Sequence, residues 1–216
     1  MIFHKHKAIF FHVGKTAGTS IEEMLMPKHG MDPYESNREL MFGMDKELNI
    51  YLHHASCKTI KNIVSPTIFN DYFKFSVVRN PFTRMVSTYY YTLDYHKKYF
   101  GEFRDFILAL PELSTRANVL AGSHYISQTH YTHINGQKIM DYIGKFENLA
   151  SVVENLNQKL NIECSLPKIN IRKQTERPKD INELYDDETF SIIQSVYKDD
   201  FVTYGYDINA LPIKRT

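Results

Sequence analysis

The chain has 216 residues, 43% of them hydrophobic and 24% charged, with a formal net charge of +1. That length fills one α/β domain with a full core, taken as residues 1–216. The near-neutral balance excludes a nucleic-acid binder held by a broad basic surface, so any anion site is local.

The apolar run at residues 9–13 predicts a buried parallel strand. It passes into Gly14-Lys15-Thr16-Ala17-Gly18-Thr19-Ser20, and then into Ile21-Glu22-Glu23-Met24-Leu25-Met26, which reads as the first turns of a helix. Strand, glycine-punctuated loop, helix: this order aims main-chain N–H groups and the positive end of a helix dipole at an anion, most often a phosphate. Gly14-Lys15-Thr16 invites a Walker A reading, G-x-x-x-x-G-K-[ST]. The first glycine of that motif would fall at Ile9, inside the strand, so the lysine leads this loop.

Residues 27–49 read as a loop with one short helix, bordering a cleft. Residues 50–54 predict a second strand, and residues 55–64 a helix with Ile60, Ile63 and Val64 on its apolar side, ended by Pro66. Residues 72–78 predict a third strand, which breaks at Arg79-Asn80-Pro81. Pro81 suits the first position of a helix over 81–95, amphipathic through Phe82, Met85, Val86, Tyr89, Tyr90 and Leu93. Helices over 103–110 and 116–121, an irregular stretch over 123–137 and a short strand over 141–146 follow. Residues 147–160 are the clearest helix, 166–178 a basic loop, 186–200 a helix, and 201–206 a closing tail. Strands alternating with helices predict a central parallel sheet flanked by helices.

Arg79 leaves the C-terminal end of a strand, where open α/β sheets bind ligands. Ser87 lies about two helical turns further on, and an arginine fork with a hydroxyl cradles a phosphate dianion. Two stretches, residues 12–20 and R-N-P-x-x-R-x-x-S-x-Y at 79–89, together resemble the sulfotransferases that use 3′-phosphoadenosine 5′-phosphosulfate (PAPS). The branch they resemble is the carbohydrate O-sulfotransferases, which include heparan and chondroitin enzymes and bacterial relatives. The resemblance runs from His12 to about Tyr206 and implies a P-loop-like nucleotide fold. It implies that Lys15, Thr16, Ala17, Gly18, Thr19 and Ser20 cradle the 5′-phosphosulfate, and that Arg79 and Ser87 grip the 3′-phosphate. By a looser correspondence Arg172 and Lys173, in the loop 170–175, close over the donor. The expected product is PAP, with no metal required. The expected partner is a carbohydrate acceptor (polysaccharide, lipopolysaccharide or glycoside), with no nucleic acid. Gly14 departs from the family, where a proline is common, and is expected to loosen the loop. Gly144-Lys145-Phe146-Glu147-Asn148-Leu149 also resembles a family signature and reads as a packing junction. The tyrosines 89–91 read mostly as core, with one ring stacking on adenine or a sugar as the alternative.

Sulfuryl transfer needs an acceptor hydroxyl to lose a proton, and a neutral histidine suits that task. Of ten histidines, His54 is the expected base, since the related enzymes open this helix with a His-Ala pair. A helix N-terminus also opposes its protonation. His53, one residue away on an extended segment, is the competitor and is expected to face the other way. His12 reads as a hydrogen-bonded core or edge histidine. His124, His130 and His133 read as scattered surface residues, with the lining of an acceptor groove as the alternative. Lys15 is the second catalytic residue, neutralising charge on the leaving group. Arg84 reads as a helix-surface residue paired with an acid. The rival functions are a P-loop nucleotide kinase and a non-catalytic nucleotide- or glycan-binding protein. Two cysteines, Cys57 and Cys164, fit a reducing compartment. No run reaches the ~20 apolar residues a membrane span needs. Since the eukaryotic Golgi enzymes that the chain resembles carry a membrane anchor and stem, the resemblance implies a bacterial, cytoplasmic enzyme with no integral membrane segment.

Overall fold

The computed structural model describes residues 1–27, 31–96, 101–115, 124–167 and 180–212. Ile2–Phe3 (β1) turns back through Lys7, at φ 47°, and pairs antiparallel with Ala8–Phe11 (β2). Gly18–Leu25 (α1) follows the loop. Met44–Asp45 (β3) and Ile50–Tyr51 (β4) form an antiparallel ribbon of their own. The strand expected over 50–54 is therefore short and lies outside the main sheet, because the chain winds into a 3₁₀ turn at Leu52–His54. No helix occurs among the described residues of 27–49.

Cys57–Ile63 (α2) starts at Ser56, whose side chain accepts the Thr59 N–H. Pro66 does not end this helix. Val64 is already extended, and Pro66 opens Pro66–Asp71 (α3) at the position where a missing N–H is harmless. Phe73–Val78 (β5), Pro81–His96 (α4) and Phe103–Leu113 (α5) come next. The stretch expected to be irregular holds Thr129–Thr132 (α6) and a small ribbon, His133–Ile134 (β6) with Gln137–Lys138 (β7). Tyr142–Lys145 (β8) leads through a 3₁₀ turn into Leu149–Leu160 (α7). The single helix expected over 186–200 is two, Asp187–Val196 (α8) and Lys198–Tyr204 (α9), parted at Tyr197. The helix expected over 116–121 and most of the loop over 166–178 lie outside the described residues.

The main sheet has the order β1-β2-β5-β8, with β2, β5 and β8 mutually parallel and β1 antiparallel at the edge. Every residue of β2 is buried, as a strand covered on both faces requires. Its side chains alternate between two cores. Ala8 and Phe10 pack with Phe75, Val77 and the buried sides of α1 and α7, while Ile9 and Phe11 pack with Leu52, Cys57, Ile60 and Met140. A third core of Phe82, Phe106, Leu110, Ile193 and Phe201 joins α4, α5, α8 and α9. The parallel register, Phe11 opposite Ser76, makes the chain leave β2 and β5 at the same edge of the sheet. That edge carries the site.

Candidate active site

After β2 the backbone is bent by alternation of conformers. Lys15 and Ala17 have φ of 70° and 68°, on either side of Thr16. The left-handed region costs a residue with a side chain roughly 1–2 kcal/mol, and such alternation curls successive N–H groups around a common point. Thr16 is fully buried and donates its hydroxyl to Val13 O at 2.8 Å, so its side chain holds the loop's shape. Ser20 is buried and Thr19 exposed at the mouth of α1.

Neither loop glycine has a positive φ. Both are demanded by close approach instead. A Cβ on Gly14 would stand 2.5 Å from His124 Cδ2, and one on Gly18 would stand 2.0 Å from His12 Cδ2 and Nε2. Gly14 thus admits the His124 imidazole. The loosening expected of it gives way to a tighter contact.

The second strand end meets the first. Arg79 Nη1 donates to Lys15 O at 3.3 Å, its Nε donates to Thr83 Oγ1 at 3.0 Å, and its guanidinium lies 4.0 Å over the Phe146 ring. Ser87, 8% exposed, sits one helical turn past Thr83 on the same face of α4. The Arg79 main chain is clasped by Gln128, which accepts its N–H and donates to its carbonyl, both at 2.8 Å. The next residue, Asn80, donates its N–H to Glu147 Oε1 at 2.8 Å, and Tyr206 donates its hydroxyl to Glu147 Oε2 at 2.9 Å. The junction expected at 144–149 therefore packs β8 and α7 against this turn.

His54 closes the 3₁₀ turn beside the loop, with its Nδ1 3.2 Å from His12 O. A carbonyl only accepts, so Nδ1 carries the hydrogen and Nε2 keeps its lone pair. Burial, then the neighbouring imidazoles of His12, His53 and His124, push His54 well below the ordinary histidine range. The imidazole is neutral, as expected, but desolvation is the main cause. His53 does not point to the opposite face. In a 3₁₀ turn neighbours are not alternated, and the two rings lie 4.6 Å apart. Contacts separate them instead: His53 packs on Phe42 at 5.2 Å and Tyr51 at 5.4 Å, whereas His54 faces His12 at 4.4 Å and His124 at 5.5 Å.

Residues 1–207 match the sulfotransferase family. The chain belongs to that family. It is a transferase of the sulfuryl group, and members of the family generally take that group from PAPS. It is also similar to an uncharacterized protein of Archaeoglobus fulgidus, 27% identical over 103 residues, which are 48% of this chain and 79% of that protein. No solved structure matches it.

Three parts of this sulfotransferase site escaped the sequence reading. Arg84 is not on the helix surface and pairs with no acid through its hydrogen bonds. It is fully buried and donates to Gly14 O, Ile126 O and His124 O at 3.2, 2.9 and 3.1 Å. Its place in the 79–89 motif, on the inward side of an amphipathic helix, was the available signal. His124 is half-buried against Gly14, His54 and Tyr91, not a surface histidine. Lys15 Nζ stands 4.0 Å over the Tyr91 ring, so one of the three tyrosines serves the loop. Arg172 and Lys173 lie outside the described residues. Among the described residues no group of three or more His, Cys, Asp or Glu is arranged to hold a metal, and no helix is long and apolar enough to cross a membrane.

Proposed function

We propose that this sulfotransferase moves the sulfuryl group of PAPS to a hydroxyl of a carbohydrate acceptor, in line, with His54 as the base. The observation that carries this reading is the contact between the two strand ends, Arg79 Nη1 to Lys15 O at 3.3 Å. One nucleotide with a phosphate at each end spans such a pair. The N–H groups of Thr16 to Thr19 hold the 5′-phosphosulfate at the start of α1, and Ser20, whose own N–H is donated to Ala17 O at 3.0 Å, adds its hydroxyl. The Arg79 fork and the Ser87 hydroxyl hold the 3′-phosphate. As the acceptor oxygen bonds to sulfur and the bridging S–O bond breaks, His54 Nε2 takes the hydroxyl proton. Lys15 neutralises the charge gathering on the departing 5′-phosphate, and PAP leaves. The saccharide acceptor follows from the resemblance of residues 12–20 and 79–89 to the carbohydrate branch.

The test has two arms. PAP raises the melting temperature far more than ATP does, and equal shifts would overturn the donor assignment. His54→Ala abolishes transfer from labelled PAPS, scored as mass gain across a panel of surface glycans, while PAP affinity stays nearly unchanged. Normal turnover in that variant removes His54 from the mechanism.

A further inference from the structure

His12 stands between the two parts of the site that have to meet. Its carbonyl holds His54 Nδ1, and its ring lies 4.4 Å from the His54 ring. The other edge of that ring fills the notch at Gly18, where a Cβ would come within 2.0 Å of it. Behind, Phe10 stacks on the ring at 5.5 Å, and Glu22 Oε1 lies 2.9 Å from its Nδ1. His12 is 5% exposed and Glu22 1%. Glu22 belongs to α1, the helix that the donor loop opens, and its neighbours Ile21, Met24 and Leu25 are buried core. An inward-turned glutamate is costly unless it is paired. This one accepts from an imidazole that touches no other described acid through a hydrogen bond or ion pair.

We propose that Glu22 and His12 are a positioning pair: the carboxylate fixes the His12 ring as its Nδ1–H tautomer and holds it as a wedge that sets Gly18 of the donor loop against His54. The inference rests on the reading of His54 as the base. The carboxylate–imidazole bond defines both tautomer and ring plane, as it does wherever a carboxylate orients a histidine. With the ring fixed, the loop and the base share one stop. Without Glu22 the buried Nδ1–H loses its acceptor, the ring turns, and the spacing between donor and base relaxes. A misplacement of about 1 Å costs roughly 100-fold in rate.

The decisive variant is Glu22→Met, which keeps the buried volume and removes the acceptor. With labelled PAPS and the saccharide identified in the glycan panel, kcat falls about 10–100-fold while the dissociation constant for PAP stays within about threefold. Glu22→Gln, which retains an acceptor oxygen, recovers most of kcat. Nitrogen-15 NMR of the imidazoles finds His12 as one Nδ1–H tautomer in the wild type and as a mixture in Glu22→Met. An unchanged kcat in a folded Glu22→Met protein overturns the inference, as does a loss of PAP affinity as large as the loss of kcat/KM. Should Glu22→Met fail to fold, Glu22→Gln decides. Its kcat tracks the share of His12 left as the Nδ1–H tautomer, and a reduced share with undiminished kcat overturns the pair's role. The His54→Ala arm separates the two failures. Turnover in His54→Ala removes the base itself, whereas turnover lost there but intact in Glu22→Met removes only the positioning pair.

Discussion

On one side of His54 the site hangs on regular structure, and on the other it hangs on side chains. The loop at 14–20 and the turn at 79–81 are where the chain leaves two paired parallel strands, so the ladder that joins Phe11 to Ser76 brings them together. The facing segment, residues 124–138, has a four-residue helix and a ribbon of two two-residue strands. Its place is fixed by Arg84 on three carbonyls and by Gln128 on Arg79. Asp200 adds to this, accepting from Ser127 Oγ, Gln128 N and Thr129 N at 2.5, 3.0 and 3.1 Å. A ladder spreads its strength over many weak bonds. A segment held by a few buried polar side chains loses much when any one is removed, because each leaves partners stripped of water.

The difference is broken most directly at Arg84. Arg84→Met leaves three carbonyl oxygens without their donor, at about 1–3 kcal/mol for each buried group left unsatisfied. The expected loss is about 3–5 kcal/mol, read from urea unfolding, with PAP affinity falling as Gly14 and His124 part. A loss under about 1 kcal/mol means that residues 124–138 are held by something else. Arg79→Ala is the counterpart on the ladder side. Its turn is also held through main-chain bonds to Gln128 and Glu147, so stability changes little. PAP binding, measured by titration calorimetry, weakens by about 1.5–3 kcal/mol, the range for a hydrogen bond to a charged group. If Arg79→Ala instead unfolds the protein with PAP affinity intact, the two sides are alike.

The same division governs what the sequence revealed. The strand at 9–13, the helix after Ser20 and the Val78–Pro81 break are coded locally, by apolar runs, a glycine-rich loop and a proline at the start of a helix, and they occur close to where they were expected. The same local code left Pro66 ambiguous, since a proline both ends one helix and opens another. The pattern across 123–137 carried no period to read, because its order comes from partners distant in sequence. Asp200 lies over 70 residues from Ser127, and Arg84 lies 40 from His124. Glu22 shows the limit from the other direction. Its place in the run 21–26 reads only as part of a helix, and its burial against His12 emerges only in the fold.

His54 offers the smallest effect and tests the boundary between the two sides. In the unfolded chain it titrates near 6.5, whereas in the fold burial and three imidazoles from both sides hold it well lower. Between those values the unfolded state binds the extra proton, so stability rises with pH through this window and is lost as pH falls below about 6.5. His130 and His133 are also lowered by burial, so they add to the slope in the same direction. Burial raises the Asp200 carboxyl, which gives the opposite slope, and because that carboxyl is present in both proteins its contribution cancels when wild type and variant are compared. His54→Gln removes one proton from the difference, so the stability lost between pH ~6.5 and ~5.5 shrinks by up to about 1.4 kcal/mol. With His54 as the proposed base, the acid limb of kcat/KM in the wild type is expected below the ordinary histidine value, because burial keeps that imidazole neutral there. A limb at or above ~6.5 would mean that His54 is solvated in the working enzyme. The segment carrying His124 would then stand away from the loop it packs against.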